Sequence, residues 1–281
     1  MRILVLCLAA CLLAAGDGLE TGIVHGRVGE RAIHLDFLPP TMPAAKPAPV
    51  MVWIHGGGWR AGDRSNNHEG MRGFASMGYA GVSVEYRLSS EATHPAQLDD
   101  ICSALRWVAA QARARNLDPQ RVALIGGSAG GHLALLAGFH GSIPAGMRIR
   151  AIVNMAGPTS LSFALSLPSG DAALRGSCGM DSRGLIAALL GTEDRSAKAY
   201  GDASPLTWVR PDVPPVMTIQ GRDDDIVPPV HAQALHATLR AVGASERLVM
   251  VDGGHDLGSW NKTQRDLAFL GVIGFLAEHL R

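Results

Sequence analysis

Neither sign of charge is in excess in this sequence: 25 Lys and Arg stand against 25 Asp and Glu in 281 residues. Without a basic surplus, nothing points to a nucleic acid or an anionic membrane surface as a partner. Cysteine is scarce. Of the four present, Cys7 and Cys11 fall in the apolar N-terminal stretch. Cys102 and Cys178 remain, at a spacing that matches no zinc motif. No metal and no organic cofactor is expected. No apolar run reaches the roughly 20 residues that a membrane-spanning helix needs; the longest, Ile3 to Ala15, stops short of it. Internal repeats and low-complexity tracts are also missing.

The N-terminus has one positive charge at Arg2, that apolar run, and then Gly16-Asp17. This is the pattern of an export signal over residues 1–16, so a secreted or periplasmic protein is expected. Leu8-Ala9-Ala10-Cys11 also resembles a lipobox, which offers lipoprotein anchoring through Cys11 as a second address. In an oxidising compartment Cys102 and Cys178 can pair as one disulfide. Alternatively Cys102, at a core position of a helix pattern, is a free thiol acting as a small apolar group.

Residues 21–281 read as one catalytic domain, since 47% hydrophobic residues suffice for a single large core. Alternation in Ile23–Gly26 and Ala32–Phe37 predicts a hairpin turning near Gly29-Glu30. The stretch from Pro39-Pro40 to Pro49 is a proline-rich connector. Continuous apolar runs follow at Val50–Ile54, Gly81–Val84, Arg121–Ile125, Ala151–Val153, Val216–Ile219 and Leu248–Val251. Such runs fit strands covered on both faces. Between them lie helical patterns at His68–Met77, Ala129–His140, Val230–Val242 and Gln264–Leu280. The clearest covers Pro95–Arg115, where Leu98, Ile101, Cys102, Leu105, Val108 and Ala109 form one apolar stripe. Strands alternating with helices predict an α/β fold with a mostly parallel central sheet flanked by helices, whose ligands gather at the C-terminal strand ends. Residues 157–204 break the pattern with Pro158, Pro168, Gly170 and Gly176, and read as a short cap or specificity insertion packed over the site.

Each chemical motif directly follows one of these strands. Gly126-Gly127-Ser128-Ala129-Gly130 links a strand to a helix, the context of a nucleophile elbow that lifts the Ser128 hydroxyl clear of the sheet. His55-Gly56-Gly57-Gly58-Trp59 matches a loop whose backbone N–H groups converge on a developing oxyanion. Gly57, Gly58 and Ala129 are the candidate donors, and Trp59 is either a substrate contact or an aromatic that simply packs beside the loop. For the acid, Asp223, Asp224 and Asp225 compete; register against Val227-Pro228 favours Asp224. The base is His255, in Gly253-Gly254-His255 after the last predicted strand. The chain order Ser, Asp, His then assigns Ser128 to attack, His255 to proton transfer, and Asp224 to fixing the imidazole. Tyr86 and Arg87 read as anchors of the oxyanion loop, and His132 as structural.

Taken together, His55–Trp59 with Gly62-Asp63, Glu85–Ser89, His94–Asp100, the elbow, Ser204-Pro205-Leu206, Gly221–Pro228 and Gly253–His255 resemble the esterase/lipase branch of the α/β-hydrolases. The similarity is to its hormone-sensitive-lipase-like and feruloyl and acetyl-xylan esterase-like groups, and it runs from Val50 to the C-terminus. It implies a serine carboxylesterase hydrolysing short- to medium-chain acyl esters, with acetyl or feruloyl esters of polysaccharide as candidate substrates. The partner expected is then a small-molecule or polysaccharide-linked ester, bound by a monomer or dimer. Gln220 departs from the resemblance, since relatives often carry His before Gly221; little consequence is expected. An arylformamidase-type amidase is the alternative enzyme, because related proteins with such loops cleave formamides. A non-catalytic binding protein is the third reading, disfavoured because all three triad residues are present.

Overall fold

The computed structural model describes residues 17–42, 46–164 and 179–280. The expected export signal, with Cys7 and Cys11, lies outside the described residues, as does Cys178. Eight strands form one sheet in the order β1-β2-β4-β3-β5-β6-β7-β8. Strands β1 (Glu20–Val28) and β2 (Arg31–Leu38) make the predicted hairpin, with Gly29 at φ 55° in its turn. Strand β2 also pairs antiparallel with β4 (Ala80–Val84). The remaining pairings, among β3 (Ala48–Ile54), β4, β5 (Leu117–Gly127), β6 (Ile149–Met155), β7 (Val216–Gly221) and β8 (Glu246–Val251), are parallel. Every apolar run read as a strand lies in one of these.

Continuous hydrophobicity is required because side chains alternate across the sheet and both faces are covered. Val50, Val52 and Ile54 of β3 join Val122 and Leu124 of β5 on one face. Met51 and Trp53 join Ala123 and Ile125 on the other. Helices α2 (Ala96–Gln111), α3 (Ala129–His140) and α7 (Val230–Ala241) cover the first face, and α1 (His68–Ala75) and α8 (Lys262–His279) the second. Each large side chain shut away this way contributes roughly 1.5–3 kcal/mol. Helix α2 ends at Gln111, short of the predicted Arg115. Its last fully buried residue is Val108, with Ala109 and Ala112 packed only at the edge of the core. Cys102 is buried in that stripe and has no disulfide partner among the described residues.

The described parts of the insertion form three short helices, α4 (Leu161–Ala164), α5 (Ser182–Leu190) and α6 (Lys198–Asp202). Ile186 and Leu189 of α5 pack into the same core cluster as α2 and α3, and Leu189 O accepts from His94 N at 2.7 Å. Among the described residues, no helix is long and apolar enough to cross a membrane.

Candidate active site

The turn from β5 into α3 is built around Ser128, a non-glycine residue at φ 53° and ψ −124°. Such a backbone costs about 1–3 kcal/mol and persists only where its surroundings enforce it. Ser128 N donates to Met155 O at 2.8 Å on the neighbouring strand, and Ser128 O accepts from His132 N at 3.0 Å. Close packing enforces the turn from the other side. A methyl group on Gly130 would stand 2.1 Å from Ile54 O at the end of β3. The helix therefore meets the strand through bare backbone.

The loop after β3 lies against this elbow. A methyl on Gly56 would stand 2.9 Å from Gly127 O and 3.5 Å from Ser128 Cβ. Gly57 takes φ 109°, and Gly57 O closes the turn by accepting from Arg60 N and Ala61 N at 3.0 and 2.9 Å. Tyr86 braces the loop: its hydroxyl donates to His55 O at 3.0 Å and its ring stacks on the His55 imidazole at 4.2 Å. Burial holds His55 below the usual histidine range, so it stays neutral. Arg87 instead grips Asp100 on α2 at 2.9 Å and Ala96 O at 3.1 Å. Among the described residues, the N–H groups of Gly57, Gly58 and Ala129 have no hydrogen-bond partner.

Of the three consecutive aspartates, Asp223 and Asp225 are exposed and Asp224 is buried. Its Oδ1 accepts from Ile226 N at 3.0 Å and Val227 N at 2.8 Å. Its Oδ2 accepts from His255 Nδ1 and Gln220 Nε2, each at 2.8 Å. A carboxylate oxygen only accepts, so His255 donates through Nδ1, and in its neutral form the lone pair is on Nε2. The His255 loop is stiffened by its own bonds, Gly254 N to Ser259 Oγ at 2.9 Å and Trp260 Nε1 to Gly254 O at 3.0 Å.

Ser128, His255, Gly57 and Gly58 line one cavity of about 730 Å³ at the C-terminal strand ends. Met155, Ile226, Leu257 and Trp260 give it an apolar wall, and Asn66, Asn67 and Asp256 add polar groups. Ala129 lies behind Ser128, buried at the start of α3. None of the described residues of 157–204 lines the cavity, so the covering expected over the site is not formed by those parts of the insertion.

Trp59 departs from its reading as a substrate contact. It is 5% exposed and lies outside the cavity lining. Its backbone stands at φ 57°, and from its buried position Nε1 donates to His132 Nδ1 at 3.1 Å. His132 Nε2 donates in turn to Ala203 O at 2.7 Å. Trp59 can only donate and a carbonyl can only accept, so the imidazole is neutral with its proton on Nε2. Burial pushes its pKa down to about 3. The sequence marked His132 as structural but gave no sign of its two partners, which come from segments far apart in the chain.

The BD-FAE family profile matches residues 35–239. "Probable carboxylic ester hydrolase LipM" of Mycobacterium tuberculosis is 33% identical over 238 residues, 78% of this chain and 51% of that protein. The chain spans about half the length of the curated relatives it matches. Among solved structures, a bifunctional GH43-CE protein of Bacteroides eggerthii superposes with a TM-score of 0.78 at 26% identity, covering 94% of this chain and 38% of that one. The thermophilic esterase Est2 of Thermogutta terrifontis, solved with propionate bound, has a TM-score of 0.70 at 24% identity and covers 92% of this chain and 96% of its own. The same esterase has been solved phosphonylated by sarin.

Proposed function

The chain belongs to the BD-FAE family of α/β-hydrolase esterases, and from that membership we propose that it is a serine carboxylesterase acting through Ser128, His255 and Asp224. The observation that carries this reading is the Asp224–His255 pair at 2.8 Å, with the imidazole on the wall of the cavity that Ser128 also lines. A free serine hydroxyl is a poor nucleophile, so His255 Nε2 takes its proton as the oxygen attacks the ester carbonyl. Asp224 holds the imidazole in the tautomer that leaves Nε2 free and stabilises the imidazolium that forms. The carbonyl oxygen gathers negative charge, for which the unpartnered N–H groups of Gly57, Gly58 and Ala129 are the donors. His255 then protonates the leaving alcohol, and the same imidazole activates a water that releases the acid from Ser128.

The substrate we propose is an ester with a short to medium acyl chain. The apolar wall of Met155, Ile226 and Leu257 and the propionate bound in the Thermogutta esterase support this. The esterase-bearing protein of Bacteroides eggerthii supports a sugar-linked alcohol, with acetyl or feruloyl groups as candidates.

The test compares wild type with Ser128→Ala on para-nitrophenyl esters of increasing chain length, acetylated xylan, methyl ferulate and N-formylkynurenine. The expected result is Ser128-dependent cleavage that is fastest on short acyl chains, with a fluorophosphonate labelling wild type alone. Turnover that survives Ser128→Ala refutes the mechanism. Faster cleavage of the formamide than of any ester moves the chain to amidase chemistry.

A further inference from the structure

All four lone-pair positions of the Asp224 carboxylate are taken, and one donor is a side chain that no step above uses. Gln220, near the end of β7, is fully buried. Its Nε2 reaches Asp224 Oδ2 at 2.8 Å, the oxygen that also accepts from His255 Nδ1. The same nitrogen donates to Val227 O at 2.9 Å. Both amide hydrogens are thus engaged, one on the carboxylate and one on the far end of the turn that presents it. The reversed amide is excluded, because its oxygen would face Asp224 Oδ2 and the Val227 carbonyl, three acceptors with no hydrogen between them. This orientation has a cost on its other side: Gln220 Oε1 is buried without a hydrogen-bond partner among the described residues. A buried acceptor left unpaired is unfavourable, and its presence needs an explanation.

We infer that Gln220 is a positioning residue for the triad, clamping Asp224 Oδ2 to the Val227 carbonyl so that the carboxylate meets His255 at one fixed angle. This rests on the reading of Ser128, His255 and Asp224 as a triad. The terminal torsion of an aspartate is broad. Backbone donors hold Oδ1 alone, whereas the Gln220 amide holds Oδ2 alongside His255 and locks the torsion. The imidazole then keeps its proton on Nδ1, with Nε2 open to Ser128. Gln220 touches neither substrate nor a reacting atom.

Two variants test this with para-nitrophenyl acetate, after thermal unfolding has compared their folds with wild type. Gln220→Leu removes the donor at similar volume. Its kcat falls on the order of ten- to a hundredfold, the effect of one hydrogen bond to a charged group, with KM unchanged. Gln220→Glu keeps the shape and sets a second carboxyl beside Asp224. At acid pH the introduced carboxyl is protonated and still donates, so activity relative to wild type is highest there. It declines as the pH rises and the two carboxylates repel. A side chain that only filled space would give no such profile. A Gln220→Leu kcat within about threefold of wild type overturns the inference, as does a Gln220→Glu profile parallel to that of wild type. If Gln220→Leu does not fold, the Gln220→Glu profile decides. Ester cleavage that survives Ser128→Ala refutes the triad itself, so the two failures are told apart.

Discussion

Replacing Asp224 by Asn tests the site through a single atom. The native carboxylate accepts four hydrogen bonds, two on each oxygen. An asparagine has one oxygen, and the two backbone donors of Ile226 and Val227 claim it. Its NH₂ group then faces His255 Nδ1 and the Gln220 amide. Two donors cannot share that contact, so the imidazole moves its proton to Nε2 and offers Nδ1 as acceptor. The base loses the lone pair that would accept the Ser128 proton. A triad locked in the wrong tautomer loses about ten-thousandfold in kcat, near 5 kcal/mol of barrier. Binding is untouched, so KM stays put. Steady-state hydrolysis of para-nitrophenyl acetate measures the drop, and the rate of fluorophosphonate labelling measures the lost nucleophilicity of Ser128 directly. Asp223→Asn and Asp225→Asn are the controls; both side chains are exposed, and such substitutions change stability by no more than about 0.5 kcal/mol. A loss below about tenfold for Asp224→Asn, or an equal loss in either control, would refute the tautomer argument.

Trp59→Phe keeps the ring but leaves His132 Nδ1 buried without its donor, which costs about 1–3 kcal/mol in urea unfolding; an altered KM for short esters would return Trp59 to the substrate site. Gly130→Ala forces a methyl to within 2.1 Å of Ile54 O, so it lowers the melting temperature by the several degrees that about 1–3 kcal/mol of overpacking implies; an unchanged melting curve would contradict the packing. Acid sensitivity follows from burial. Desolvation lowers His132 to about 3 and His231 to about 4, against 6.5 for a free imidazole. Depressed folded values mean that the unfolded chain takes up protons first. Stability is therefore full above about pH 6.5 and is lost as the pH falls toward the folded values, roughly 2 kcal/mol for each group between pH 7 and 5. Urea midpoints across that window check this, and a flat profile would refute it.

The parallel sheet was legible because burial on both faces writes an uninterrupted apolar run into each strand, as in Val50–Ile54 and Val216–Ile219. The glycines around Ser128 were legible because backbone contact tolerates no side chain, as at Gly130. What pairs across the chain was hidden. Trp59 reads as an aromatic beside a catalytic loop, and its place in the core depends on His132, distant in the chain. Gln220 reads as one more residue in a strand; its meaning depends on a turn that folds Asp224 and Val227 back onto its amide. The insertion carries too little periodicity to reveal that Ile186 and Leu189 face α2 and α3 rather than the cavity.

The bond from His132 to Ala203 ends on a peptide oxygen, which every amino acid possesses. The elbow helix therefore grips the far end of the insertion through a handle indifferent to side-chain identity there. The side chain at that position can change while the anchorage persists, provided the Ala203 carbonyl still reaches the imidazole. The insertion is thus held to the catalytic body by backbone at this point and by apolar side chains at Ile186 and Leu189.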